Sequence, residues 1–254
     1  MGKILSVFNQ KGGVGKTTVN INLAAGLARR RKSVLVIDMD PQCNTTTGFG
    51  IHPEQGHSVY EWLRGELSFD EARQHPIKNM DIIPGSRDMA AFDLEMASVA
   101  DRESLLKKQL DPLREQYDFI LIDCPPALGL LSVNALVASD SILIPIQSEY
   151  YALEGLSALM DTVKRIQSSI NPELSVEGVL LNMVDRRNNL SRDVADEVEK
   201  YFGEKVYKTQ IPRNVRLAEA PSYGMSIFDY DNLSRGAWAF GAWVKEFLRR
   251  SENG

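Results

Sequence analysis

Ten consecutive residues constrain this chain more than any others: Asn9-Gln10-Lys11-Gly12-Gly13-Val14-Gly15-Lys16-Thr17-Thr18, set directly after an apolar run at 4–8. A strand that delivers successive glycines into a turn can aim consecutive backbone N–H groups inward. A helix starting near Lys16 adds the positive end of its dipole, and together they hold a polyphosphate. The pattern predicts strand, phosphate loop and helix in that order, with Lys16 reaching the β- and γ-phosphates and the Thr17 hydroxyl holding Mg²⁺. Gly12, Gly13, Val14, Gly15 and Thr18 complete the cradle.

The general spacing G-x-x-x-x-G-K-[ST] is not fully met, because Gln10 stands at its first glycine and a second lysine, Lys11, follows. The stretch Lys11-Gly12-Gly13-Val14-Gly15-Lys16-Thr17 resembles the deviant Walker A motif of the ParA/MinD group of ATPases. That resemblance implies that Lys11 reaches the nucleotide held by a partner subunit.

After the loop, Val19, Leu23 and Leu27 step at helical spacing, and the cluster Arg29-Arg30-Arg31-Lys32 falls at the helix end, where cations complement the dipole. A solvated terminus accounts for that cluster better than a binding site. Residues 34–37 are all apolar, the mark of a parallel strand covered on both faces, and they deliver Asp38-Met39-Asp40-Pro41-Gln42 to the carboxyl edge of a sheet. Ligands bind at that edge in open α/β sheets. Asp40 is a candidate for orienting the attacking water and Asp38 lies nearer the metal, the bland alternative for each being a cap on the following turn.

From 44 to about 78 the sequence is polar and broken by glycine and proline, which reads as a surface excursion carrying one short helix over 59–63. A short strand at 81–84 and a helix through Leu105, Gln109 and Leu113 follow. The apolar strand 119–122 then delivers Asp123, the Walker B chemistry of a phosphate-loop NTPase, in which the carboxylate binds Mg²⁺. Further strands are expected at 142–146 and 176–181, and one ending at 211–216. Helices are expected through Leu153 to Ile170, through Val194 to Phe202, and over 233–250.

Strands and helices alternate without repeats or linkers, so the fold class is α/β: one domain over 1–254 with a doubly wound, mostly parallel sheet flanked by helices. The 254 residues carry a formal net charge of −5, so DNA binding requires a local basic patch or the assembly of subunits. Two scattered cysteines, Cys43 and Cys124, cannot build a disulfide framework or a zinc site and read as reduced thiols in a cytoplasmic protein. No leader and no run of membrane-spanning length is expected.

Four further segments extend the resemblance to ParA/Soj-type partition ATPases over essentially the whole chain: 36–42, 122–129, 149–156 and 207–216. The resemblance implies an ATP-dependent homodimer around two sandwiched ATP molecules, non-specific DNA binding in that state, nucleoid association, and release after hydrolysis stimulated by a ParB-type partner. By position it places Asn182, Pro212 and Arg213 by the adenine base and assigns DNA binding to Arg187 and Arg216. Three rivals share the loop: a MinD-like membrane-associated regulator, a ParA-like positioner of a protein cluster, and an iron–sulfur ATPase. No amphipathic tail is expected after the last helix, which argues against stable membrane association, and two cysteines leave little from which to build a cluster.

Overall fold

The structure, a computed structural model, describes residues 2–52, 56–148, 152–185, 187 and 189–253. Residues 149–151 of the third matching segment, and Arg186 and Asn188 beside Arg187, lie outside the described residues.

Seven strands form one sheet: β1 (Lys3–Val7), β2 (Val34–Asp38), β3 (Gln74–Ile77), β4 (Met80–Ile83), β5 (Phe119–Asp123), β6 (Ser141–Gln147) and β7 (Ser175–Asn182). They lie in the order β3-β4-β2-β5-β1-β6-β7. Every neighbouring pair is parallel except β3 with β4. The all-apolar strands are explained by two separate cores. In β5, Phe119 and Leu121 join one core with Leu5, Val36, Leu23 and Trp243, while Ile120 and Ile122 join the other with Ile4, Ile37, Trp62 and Val163. Side chains alternate between faces at period 2, and both faces are covered, so no polar alternation survives in the sequence.

Register is what builds the site. Val7 of β1 and Asp38 of β2 both pair with Asp123 of β5, so the glycine loop and both carboxylates leave the sheet at one level of its carboxyl edge. The first helix, α1, spans Lys16–Ala28, and the last, Arg235–Asn253, packs beside it, placing Phe240, Trp243, Val244 and Phe247 in the shared core.

Two expectations need correction, and one helix has no counterpart among them. The stretch 44–78 is not a surface excursion: it opens with a second helix, α2 (Asn44–Gly48), whose Thr45 and Thr46 are fully buried. It then sends Val59, Trp62 and Leu63 into the core and ends in β3. Of its polar residues Thr45, Thr46 and Ser58 are buried, while Arg64, Glu66, Asp70 and Glu71 stay exposed. The segment before 211–216 is not a sheet strand but an irregular edge along β7, joined by bridges Val179–Val206 and Val184–Pro212, because Pro212 has no N–H to continue a ladder. The helix Leu130–Ala138 was not expected; all but two of its residues are buried, so it shows no polar face to reveal its period.

Candidate functional site

The glycine loop is held open by its neighbours. Asn9 accepts from the Lys11 N–H at 2.9 Å and donates to the Pro145 carbonyl at 2.8 Å, fixing the loop's first turn to the end of β6. Gly15 caps α1 at φ 87°, in the left-handed region, and a Cβ there would lie 2.3 Å from the Asn182 amide nitrogen. Only glycine fits that position. Nothing lies within 4 Å of where a Cβ on Gly12 or Gly13 would stand, and both glycines are exposed. Lys16 begins α1, is buried, and donates to the Lys11 carbonyl at 3.2 Å. Burial lowers its pKa, and the nearby Asp123 carboxylate opposes that shift.

Two buried carboxylates meet threonines on either side of the loop's exit. The Thr17 hydroxyl donates to Asp123 Oδ2 at 2.9 Å, and Thr45 of α2 donates to the same oxygen at 2.7 Å. The other oxygen, Oδ1, is buried without a hydrogen-bond partner among the described residues. Asp38 takes two bonds from Thr46, from its N–H at 2.8 Å and its hydroxyl at 2.6 Å, and a third from the Asp40 N–H at 3.3 Å. Thr46 in turn accepts from the Gly85 N–H at 2.8 Å, beyond the end of β4. Burial pushes Asp38 up to about 6 against the pull of Thr46; burial and then the neighbouring Asp38 charge push Asp123 up to about 7. A buried carboxylate oxygen with no donor is costly, and a cation beside it removes that cost. The hydroxyl and carboxylate oxygens of Thr17 and Asp123 are hard donors suited to a small divalent ion.

Asp40 is nearly buried and accepts from the Gln42 N–H at 3.0 Å, so it caps its turn while standing at the sheet edge. Asp38 is buried with two donors on Oδ2 and one, the Asp40 N–H, on Oδ1. Thr45 and Thr46 are the residues that the sequence did not single out; their signal is the hydroxyl run Thr45-Thr46-Thr47, two residues after Asp40-Pro41-Gln42.

Across the loop from α2, Asn182 at the end of β7 donates to the Val14 carbonyl at 2.8 Å and accepts from the Met183 N–H, bracing the loop from behind. Pro212 and Arg213 line a cavity of about 560 Å³ together with Arg187 and Arg235. Arg216 is exposed on the helix Val215–Glu219, where it pairs with Glu219 at 2.9 Å and Asp231 at 3.5 Å. Arg187 and Arg213 thus share a cavity that Arg216 does not line. Cys43 and Cys124 are both buried free thiols. No helix among the described residues is long and apolar enough to cross a membrane.

The sequence profile of a family described as an AAA domain matches residues 2–176. The sporulation initiation inhibitor protein Soj of Bacillus subtilis is 50% identical over 248 residues, covering 97% of this chain and 98% of that protein. The chromosome-partitioning ATPase Soj of Treponema pallidum is 46% identical over 251 residues, covering 98% of each. Among solved structures, cobyrinic acid a,c-diamide synthase from Mycobacterium smegmatis with bound ADP and magnesium aligns at a TM-score of 0.87 and 32% identity, over 100% of this chain and 97% of that one.

Proposed function

This chain belongs to the ParA/Soj family of chromosome-partitioning ATPases, and we propose that it binds and hydrolyses ATP with Mg²⁺ to drive a DNA-partitioning cycle. The observation that carries the site is the convergence of Thr17, Asp123 and Lys16 at one sheet edge beside the exposed Gly12 and Gly13. Loop N–H groups and Lys16 bind the phosphates; Thr17 and Asp123 hold the cation. The bound Mg²⁺ would neutralise charge on the phosphate oxygens. Asp40 accepts from and orients the attacking water, while Asp38, which accepts from Thr46 and the Asp40 N–H, lies nearer the cation and anchors the turn that carries Asp40. In this reading Pro212 and Arg213, which line one cavity, lie by the adenine base together with Asn182, whose amide also donates to the Val14 carbonyl of the loop.

In the same reading Lys11 reaches the nucleotide of a second subunit, giving an ATP-dependent homodimer. Dimerisation doubles the arginines Arg187 and Arg216 into one surface, so phosphate contacts accumulate and non-specific DNA affinity rises steeply even though the chain is acidic overall. A ParB-type partner stimulates hydrolysis and the DNA is released.

The test is ATPase activity measured with and without duplex DNA and the product of the neighbouring reading frame. Joint stimulation is expected; hydrolysis indifferent to both would overturn the partition cycle. Lys11→Ala is expected to bind ATP without dimerising. A variant that still dimerises fully on ATP removes Lys11 from the interface.

A further inference from the structure

Asp123 has two donors on one oxygen and none on the other. Thr17 and Thr45 both donate to Oδ2, at 2.9 and 2.7 Å, and Oδ1 is the orphan. The two donors differ in what else is asked of them. Thr17 closes the glycine loop in the first turn of α1, and in the reading above its hydroxyl serves the cation; Thr45 sits on α2, fully buried, 78 residues from Asp123 in the chain. Its backbone is fixed independently, because the next residue, Thr46, is locked by its N–H and hydroxyl to Asp38 and by its oxygen to the Gly85 N–H.

We infer that Thr45 is a positioning residue for the cation site: its hydroxyl pins Oδ2 of Asp123 and so presents Oδ1 to the cation after Thr17 has turned away. This rests on the ATP and Mg²⁺ reading above. The physical reason is rotational. A carboxylate at the end of a strand can spin about its Cβ–Cγ bond and offer either oxygen, and one fixed donor on one oxygen removes that freedom. Metal ligands are oriented in this way by the hydrogen bonds behind them. When the Thr17 hydroxyl coordinates the cation, Thr45 is the donor that remains on Oδ2. The same bond links the cation site to α2, and therefore to the turn bearing Asp40.

The experiment uses the full chain and a fluorescent ATP analogue, with nucleotide affinity followed as Mg²⁺ is titrated into protein first held in EDTA. Thr45→Val keeps the shape and removes the donor; the Mg²⁺ concentration for half-maximal tightening is expected to rise by about 10- to 100-fold, the usual cost of losing such a partner. Affinity in EDTA and the melting temperature should stay near wild type. Thr45→Ser restores the hydroxyl and should return the Mg²⁺ requirement. Thr47→Val, whose hydroxyl is turned to the Cys43 and Asn44 carbonyls of the same turn, should leave it unmoved. If Thr45→Val does not fold, Thr45→Cys, a weak donor of similar size, should give an intermediate rise. An unchanged Mg²⁺ requirement in Thr45→Val or Thr45→Cys, a Thr45→Ser protein as impaired as the valine variant, or an equal shift in Thr47→Val overturns the role. A wild-type protein whose nucleotide affinity ignores Mg²⁺ overturns the metal reading itself, and Thr45 with it.

Discussion

The Lys16 ammonium donates to the backbone carbonyl of Lys11 at 3.2 Å, so the two lysines of the glycine loop meet through the side chain of one and the main chain of the other. A buried ammonium on one carbonyl is underused, since it carries three donors. Burial lowers its pKa against the pull of Asp123, so an arriving phosphate restores a charge partner that the loop alone does not supply. Lys16→Ala is expected to weaken ATP binding by about tenfold to a hundredfold, the worth of one charge-assisted bond. Equilibrium titration with a labelled nucleotide measures it; unaltered affinity would remove Lys16 from the phosphate site.

Asp40 both caps a turn and stands at the sheet edge, and two substitutions separate these roles. Asp40→Asn keeps an acceptor for the Gln42 N–H but loses the charge that prepares water. Both Asp40→Asn and Asp40→Ala should lower kcat by on the order of a hundredfold while ATP binding persists. If the asparagine variant alone turns over normally, the carboxylate acts as a cap only.

Arg216 is held by Glu219 and Asp231, which compete with any phosphate for its guanidinium. Arg187→Ala and Arg216→Ala should each abolish DNA retention with nucleotide binding intact. Glu219→Gln should tighten ATP-dependent DNA binding, measured by filter retention across a salt series. The salt slope should steepen by up to about one unit if Arg216 gains a phosphate. Equal retention by both alanine variants would sink the assignment.

Glu246 predicts the pH response of stability. Burial alone would raise its pKa, but N–H donors of Lys208 and Thr209, both at 2.9 Å, and the Arg250 guanidinium outweigh it and hold the carboxylate below its ordinary value. A depressed folded pKa contributes stability that is fully present above the unfolded pKa and is lost as pH falls through the folded one. Glu246→Gln should therefore cost about 1–3 kcal/mol at pH 7. Urea midpoints of the two proteins should converge on acidification; a difference that persists at low pH refutes the linkage.

Gly224 adopts φ 65°, and a Cβ there would stand 2.5 Å from the Gly50 Cα, where α2 and its following turn meet the segment Ala220–Tyr223. Gly224→Ala should destabilise the fold by about 2 kcal/mol or more, combining left-handed strain with a backbone clash. Thermal melting tests it.

Much of this molecule was legible because its signals are local. An apolar run before glycines, and apolar runs ending in Asp38 and Asp123, name strands and say which end carries chemistry. What escaped depends on distance or lacks contrast. The bond from Thr45 to Asp123 spans 78 residues, and a threonine in a polar stretch looks like any other until the sheet brings β2 beside β5. Leu130–Ala138 hides because a helix buried on nearly all sides has no polar face. The edge beside β7 read as a strand since Ile211 is buried and apolar, but Pro212 and the single bridges around it keep it irregular.

That irregular edge has a counterpart across the sheet. At one margin the carbonyls of Val179 and Leu181 are already taken by the N–H groups of Tyr207 and Ile211; at the other, β3 is short, reversed and interrupted by Pro76. Neither margin offers an incoming strand a regular row of donors and acceptors. Growth by strand addition, which has no natural stopping point, is thereby closed off at both margins of the sheet.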